Sequence, residues 1–295
     1  MFTFHVLTDF SAAATNALYY ALVLARHVGG QIRLLHVLPA EAGFDARYFG
    51  GLQEVRSRTE AQRRLHALAA EVQQYLPCTA TIITGQPMQQ LRTLLGPGSG
   101  SVVVVGNANP AKSMRHAEAS TALHLIRHLA HPLLVVPATY RAGSVPRRIV
   151  LDTDRRAVRL PDAAETIAQL LAQLTISRQP LLLGALPKDV DHLLTRIIPS
   201  VIGLHVYTSE VSPEMQDVAL RIRQMGLLQH VAHTVASARH PSIEEGIRHA
   251  ADRHQADLLT FVTRQRMFAG RQFLHSVTAG LLAHSRIPVL TIPEA

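Results

Sequence analysis

Ser120–Ala138 reads STALHLIRHLAHPLLVVPA, and Ser276–Glu294 reads SVTAGLLAHSRIPVLTIPE. An offset of 156 residues lays Ser120 on Ser276, His128 on His284, Pro132 on Pro288 and Pro137 on Pro293. Each segment describes a helix, then a proline that ends it, then a short apolar strand closed by a second proline. Similarity at a fixed spacing marks an internal repeat. Working outward, Val6-Leu7-Thr8-Asp9 matches Leu151-Asp152-Thr153-Asp154 at offset 145, and Leu35-His36-Val37 matches Leu204-His205-Val206 at offset 169. The change of offset places about 24 additional residues between the first and second matched strands of the second copy. The chain therefore reads as two copies of one unit, residues 1–140 and 147–295. The linker between them spans residues 141–146 and contains Gly143, Ser144 and Pro146.

Within each copy, strands alternate with helices. In the first copy the pattern predicts strands at 2–7, 32–38, 79–84, 101–105 and 133–136. Ser11 is the expected N-cap of the first helix, which Gly29-Gly30 stops, and further helices are expected at 54–76, 88–95 and 121–130. In the second copy, strands are expected at 148–152, 202–207, 231–235, 258–262 and 289–292, and helices at 163–174, 213–225, 243–254 and 277–284. The added residues include Leu181-Leu182-Leu183, readable as a strand, and a helix-like stretch at 189–198. Runs such as Val102–Val105 suit strands buried on both faces, and the alternation implies parallel sheets with right-handed crossovers. The expected fold class is α/β: two copies of a five-stranded parallel-sheet αβα sandwich, Rossmann-like.

Composition narrows the function classes. Of 295 residues, 47% are hydrophobic and 17% charged, enough apolar material for a packed core and against a disordered chain. No apolar run approaches the roughly 18 residues that suggest a membrane-spanning helix. The opening residues carry no basic, then apolar, leader pattern, so a cytoplasmic location without membrane association is expected. The single cysteine, Cys78, excludes an internal disulfide and a cysteine-based zinc site. The net charge of +8 is spread over both copies, only Lys112 and Lys188 are lysine, and aromatics are 5% with no tryptophan. That pattern argues against a nucleic-acid surface, which concentrates charge and interleaves aromatics.

Several landmarks together resemble the universal stress protein family in a tandem arrangement. They are Leu7-Thr8-Asp9-Phe10-Ser11 after the first strand, Leu34-Leu35-His36-Val37 in the second, Val102–Gly106 in the fourth, and the Ser-helix-His-Pro-strand ending. The resemblance implies a regulatory, stress-response module that acts through ligand or partner binding without catalysis. The alternative is an ATP-binding member with slow hydrolysis. One branch of the family binds ATP through a Gly, two residues, a Gly, nine residues, a Gly, then Ser or Thr. Glycines let the backbone approach phosphate oxygens, and N–H groups at a helix start hold the anion. Carried onto the first copy, the motif falls on Gly106, Asn109 and Ala119-Ser120-Thr121, with the spacing intact and two glycines replaced. Asp9 and Val37 take the nucleoside-side positions, and Lys112 and Arg115 lie within the loop. The implied cofactor is thus ATP in the first copy, at Asp9, Val37, Gly106, Asn109, Ser120 and Thr121. In the second copy the motif falls on Val262, Gln265 and His275-Ser276, with all three glycines gone and Asp154 at the acidic position. The resemblance also implies that the copies pack as an intramolecular pseudo-dimer through their last strands, with a homodimer of chains as a further assembly.

The remaining reactive residues read as structural. His124 and His128 are expected on a solvated helix face, and His230 and His233 on opposite faces of a strand. His36 and His205 are expected to be satisfied core histidines. Cys78 has no activating neighbour in the sequence, and Asp152 and Asp154 alternate at a strand end. No catalytic constellation and no metal ligand set stands out.

Overall fold

The computed structural model describes residues 1–39, 58–85, 87–96, 100–108, 120–141, 143–153, 163–176, 200–263 and 277–294. In the first copy the chain runs β1 (Thr3–Leu7), α1 (Ala12–Val28), β2 (Gln31–Pro39), α2 (Arg58–Gln73), β3 (Cys78–Gly85), α3 (Pro87–Leu95), β4 (Ser101–Asn107), α4 (Thr121–His128) and β5 (Leu133–Pro137). In the second it runs β6 (Arg148–Asp152), α5 (Ala163–Thr175), β7 (Ser200–Tyr207), α6 (Met215–Met225), β8 (His233–Arg239), α7 (Ile243–Arg253), β9 (Leu258–Thr263), α8 (Val277–His284) and β10 (Val289–Pro293). None of the helices among the described residues is long and apolar enough to cross a membrane.

The strands form one sheet in the order β3-β2-β1-β4-β5-β10-β9-β6-β7-β8. Each copy contributes five parallel strands, and β5 meets β10 antiparallel, with Val135 opposite Val289 and Leu134 opposite Leu290. The pairing register reproduces the repeat. Val6 faces Val104 and Leu34 in the first copy, and Leu151 faces Thr260 and Gly203 in the second, the partners that offsets 145, 156 and 169 require.

Because alternate residues point to opposite faces, the sheet separates two apolar layers. Phe4, Val6, Leu34 and Val104 pack under α1 and α2, and Leu7, Leu35, Val103 and Val105 pack against α3 and α4. The same alternation continues in the second copy with α5 and α6 on the first face and α7 and α8 on the second. Ser11 caps α1 by accepting from the Ala14 amide at 3.2 Å, and Gly29 ends it at φ 70°. Both are the local signals the sequence carried.

Three expectations are corrected. The strand expected at 231–235 lies at His233–Arg239, with Val231 and His230 in the preceding turn. Its outer half, Ser237-Ala238-Arg239, is held by pairing to His205, Val206 and Tyr207 and not by apolar content. His230 and His233 therefore do not share a strand. His124 is not on a solvated face: it is buried, its ring 4.4 Å from that of His128. The stretches at 181–183 and 189–198, and residues 54–57 of the second predicted helix, lie outside the described residues.

The copies are tied together beyond the strand pairing. The Gly100 amide donates to Thr166 Oγ1 at 2.8 Å, and His27 Nε2 lies 3.1 Å from the Gln173 carbonyl. Asn16 Nδ2 donates to the carbonyls of Pro137 at 3.0 Å and Tyr140 at 2.8 Å, where the chain leaves β5 for the second copy. Asn107 Nδ2 donates to the Leu282 carbonyl of α8 at 2.9 Å.

Candidate functional site

In the first copy β1 lies between β2 and β4, so successive crossovers leave it in opposite directions. A crevice at such a switch point, outside the carboxyl ends of the strands, is where doubly wound folds place ligands. A cleft lies there, with about 620 Å3 of free space that includes its open mouth. Its walls are the β1–α1 turn, the end of β2, the end of β4 and the start of α4.

The turn is built by its own polar groups. The Thr8 amide donates to the Leu35 carbonyl at 2.8 Å, the Phe10 amide to Thr8 Oγ1 at 3.0 Å, and the Ser11 amide to Asp9 Oδ1 at 2.9 Å. These bonds hold Phe10 at φ 63°, a left-handed conformation that side-chain-bearing residues adopt at a cost. They leave Asp9 exposed at the rim. The Phe10 ring stacks 4.6 Å from His36. His36 Nδ1 lies 2.7 Å from the Thr8 carbonyl, and since a carbonyl only accepts, this nitrogen carries the proton. Burial pushes the His36 pKa down against the opposing pull of that carbonyl and of Asp9, so the ring is a neutral strut beneath the turn; it is only half satisfied, since the buried Nε2 has no partner among the described residues.

Gly106 closes the opposite wall. A Cβ there would press on the Ala13 carbonyl and lie 2.8 Å from the Ala14 nitrogen. The glycine thus lets the first turn of α1 rest on the end of β4, and Ala13 and Ala14 keep the other side equally small. Ser120 caps α4, its Oγ 3.5 Å from the Leu123 amide, and Thr121 lines the cleft. The positive ends of α1 and α4 therefore both meet the cleft.

Of the six residues the sequence nominated, Asp9, Val37, Gly106 and Thr121 line this one cleft, and Ser120 stands beside Thr121 with its hydroxyl engaged as a cap. Asn109, Lys112 and Arg115 lie outside the described residues. The sequence reading missed Thr8, Ala13, Ala14 and Ala108 as wall residues. The run Ala12-Ala13-Ala14 after the cap was the available signal, since small residues in a first helical turn permit close approach. Asp9 is the only ionisable side chain among the described lining residues.

In the second copy the hydrogen bonds at the strand ends recur. The Thr153 amide and hydroxyl both donate to the Leu204 carbonyl at 2.8 Å, and His205 Nδ1 lies 3.2 Å from the Thr153 carbonyl. At the position of Gly106, however, stands Val262, packed against the apolar layer on the α5 side. Asp154, Gln265, His275 and Ser276 lie outside the described residues. Elsewhere Cys78 is buried, which pushes its thiol up to about 11, so it is an inert core group. Among the described residues, no three His, Cys, Asp or Glu side chains lie close enough together to hold a metal ion.

Comparison with known proteins agrees with this architecture. The family model described as "Universal stress protein family" matches residues 3–137 and 200–293, and the chain belongs to that family. A universal stress protein from Archaeoglobus fulgidus superposes over 99% of this chain and 96% of its own, with a TM-score of 0.65 at 14% identity. A protein described as a putative universal stress protein, from Pseudomonas aeruginosa, superposes over 99% and 93%, with a TM-score of 0.53 at 13% identity. The cytoplasmic domain of a prokaryotic cation chloride cotransporter covers 98% and 94%, at 0.50 and 11%. At these identities the likeness is one of fold. No curated protein matches the chain.

Proposed function

We propose that this protein is a non-catalytic regulatory module of the stress-response type, and that its ligand is an adenine nucleotide held in the first copy. The observation that carries the reading is the gathering of Asp9, Val37, Gly106 and Thr121 around one cleft at the switch point of the sheet. Asp9 would take the nucleoside, the end of β2 at Val37 the base, and the starts of α1 and α4 the phosphates. Val262 stands in the second copy where Gly106 stands in the first, so one equivalent per chain is expected.

The test is nucleotide content and uptake. Purified protein is denatured, the supernatant is resolved by ion-exchange chromatography, and ATP is titrated calorimetrically into wild type and Asp9→Ala. Bound adenine nucleotide, or saturable uptake near one equivalent that Asp9→Ala loses, supports the reading. No nucleotide and no heat at millimolar ATP overturns it and leaves partner binding as the mode of action.

A further inference from the structure

We infer that Asn107 is a positioning residue through which the second copy sets the shape, and so the affinity, of the first copy's cleft. This rests on the reading of that cleft as a nucleotide site.

One wall of the cleft is the contact of Gly106 with the first turn of α1, which leaves no room for a Cβ. Both sides of it are fastened outward. On the α1 side, the buried Asn16 amide donates to the Pro137 and Tyr140 carbonyls, so the helix that walls the cleft is held to the chain entering the second copy. On the β4 side, Asn107 follows Gly106 directly, and its amide reaches across the copy boundary to the Leu282 carbonyl. Leu282 lies in the last turn of α8, where carbonyls have no partner within the helix. The Asn107 amide therefore satisfies an acceptor that the described residues of the second copy leave open.

The bond is one-sided. Offset 156 places Thr263 at the position of Asn107, and its hydroxyl donates to Ile292 within its own copy at 3.2 Å. The first copy's cleft is thus braced by the second, while among the described residues Thr263 returns no equivalent bond. Freeing Asn107 releases the end of β4 at the residue beside Gly106, and the wall loses its reference point although no lining group is removed.

The test compares wild type with Asn107→Asp, which keeps the shape and removes the donor, and Asn107→Ser, a milder truncation that guards against misfolding. ATP affinity is measured by calorimetry, the unfolding midpoint is measured alongside, and hydrogen exchange is followed at the amides of residues 281–285. A net hydrogen bond of ordinary strength corresponds to a loss of about three- to tenfold in affinity. The expected result is that loss in both variants with the heat of unfolding retained, and slower exchange at 281–285 on adding ATP to wild type but not to Asn107→Asp. Equal ATP affinity in all three proteins overturns the role of Asn107 and leaves the nucleotide site standing. Absence of ATP binding by wild type overturns both.

Discussion

Gly106 and Ala13 meet backbone to backbone, with no room for a side chain between the end of β4 and the first turn of α1. Gly106→Ala forces that turn away from the strand. Overpacking of this kind costs about 1–3 kcal/mol, so urea denaturation should show a lower midpoint. ATP uptake should fall with it, because the displaced turn carries Ser11 and the cleft wall. A variant with wild-type stability and uptake would mean that the turn shifts without consequence.

Acid should destabilise the fold before carboxylates titrate. His5 is buried with Nε2 3.3 Å from Ser101 Oγ. Burial first, then the nearby charges of Arg33 and His131, push its pKa from 6.5 to about 4. His36 is lowered in the same direction, chiefly by burial. Between pH 6.5 and about 4 the unfolded chain takes up protons that the folded one refuses, so stability is complete above the upper value and lost towards the lower. His5 accounts for on the order of 3 kcal/mol at most. Thermal melts across this window should fall with pH, and His5→Leu should flatten the slope.

Thr260 should be improvable. It is fully buried in β9, its hydroxyl has no partner among the described residues, and offset 156 places Val104 at the same point of the first copy. Thr260→Val removes a stranded polar group at nearly constant shape. A gain of about 1 kcal/mol is expected, read as a higher denaturant midpoint at unchanged slope.

Cys78 should resist thiol reagents in the native state. Burial raises its pKa to about 11, so almost no thiolate exists at pH 8. A colorimetric disulfide reagent should report no reaction with folded protein and one thiol per chain in denaturant. Rapid native reaction would show that β3 detaches from the sheet.

The fold was legible where burial dictates residue choice. Val102–Val105 and Leu133–Val136 are strands covered on both faces, and their apolar runs announced them. The edge strand β8 did not announce itself beyond Val235, because pairing with β7 holds Ser237, Ala238 and Arg239 without demanding apolar side chains. His124 misled for another reason. In the second copy its place is taken by Gly280, and the carboxylate of Glu244, bonded to His284 at 2.7 Å, occupies the space that a Cβ would need. The two copies fill one slot with different chemistry, and a single sequence does not reveal which polar residue a helix turns inward. At the cleft, Asp9 and Gly106 were nominated by the resemblance to the universal stress protein family, whose motif positions they occupy. The brace at Asn107 was not, since it depends on how two distant segments meet across the copy boundary.

The antiparallel pairing of β5 with β10 also bears on how the molecule is made. Leu133–Pro137 is translated early, yet the strand that covers its free edge follows only after the other strands of the second copy. Until then a nascent first copy presents an apolar, unpaired edge, the kind of template that recruits other chains. Cells synthesising this protein must bridge that interval, and a truncated product lacking β10 would keep the edge open permanently. Such a fragment should be captured by chaperones or lost to aggregates even though every strand of the first copy is present.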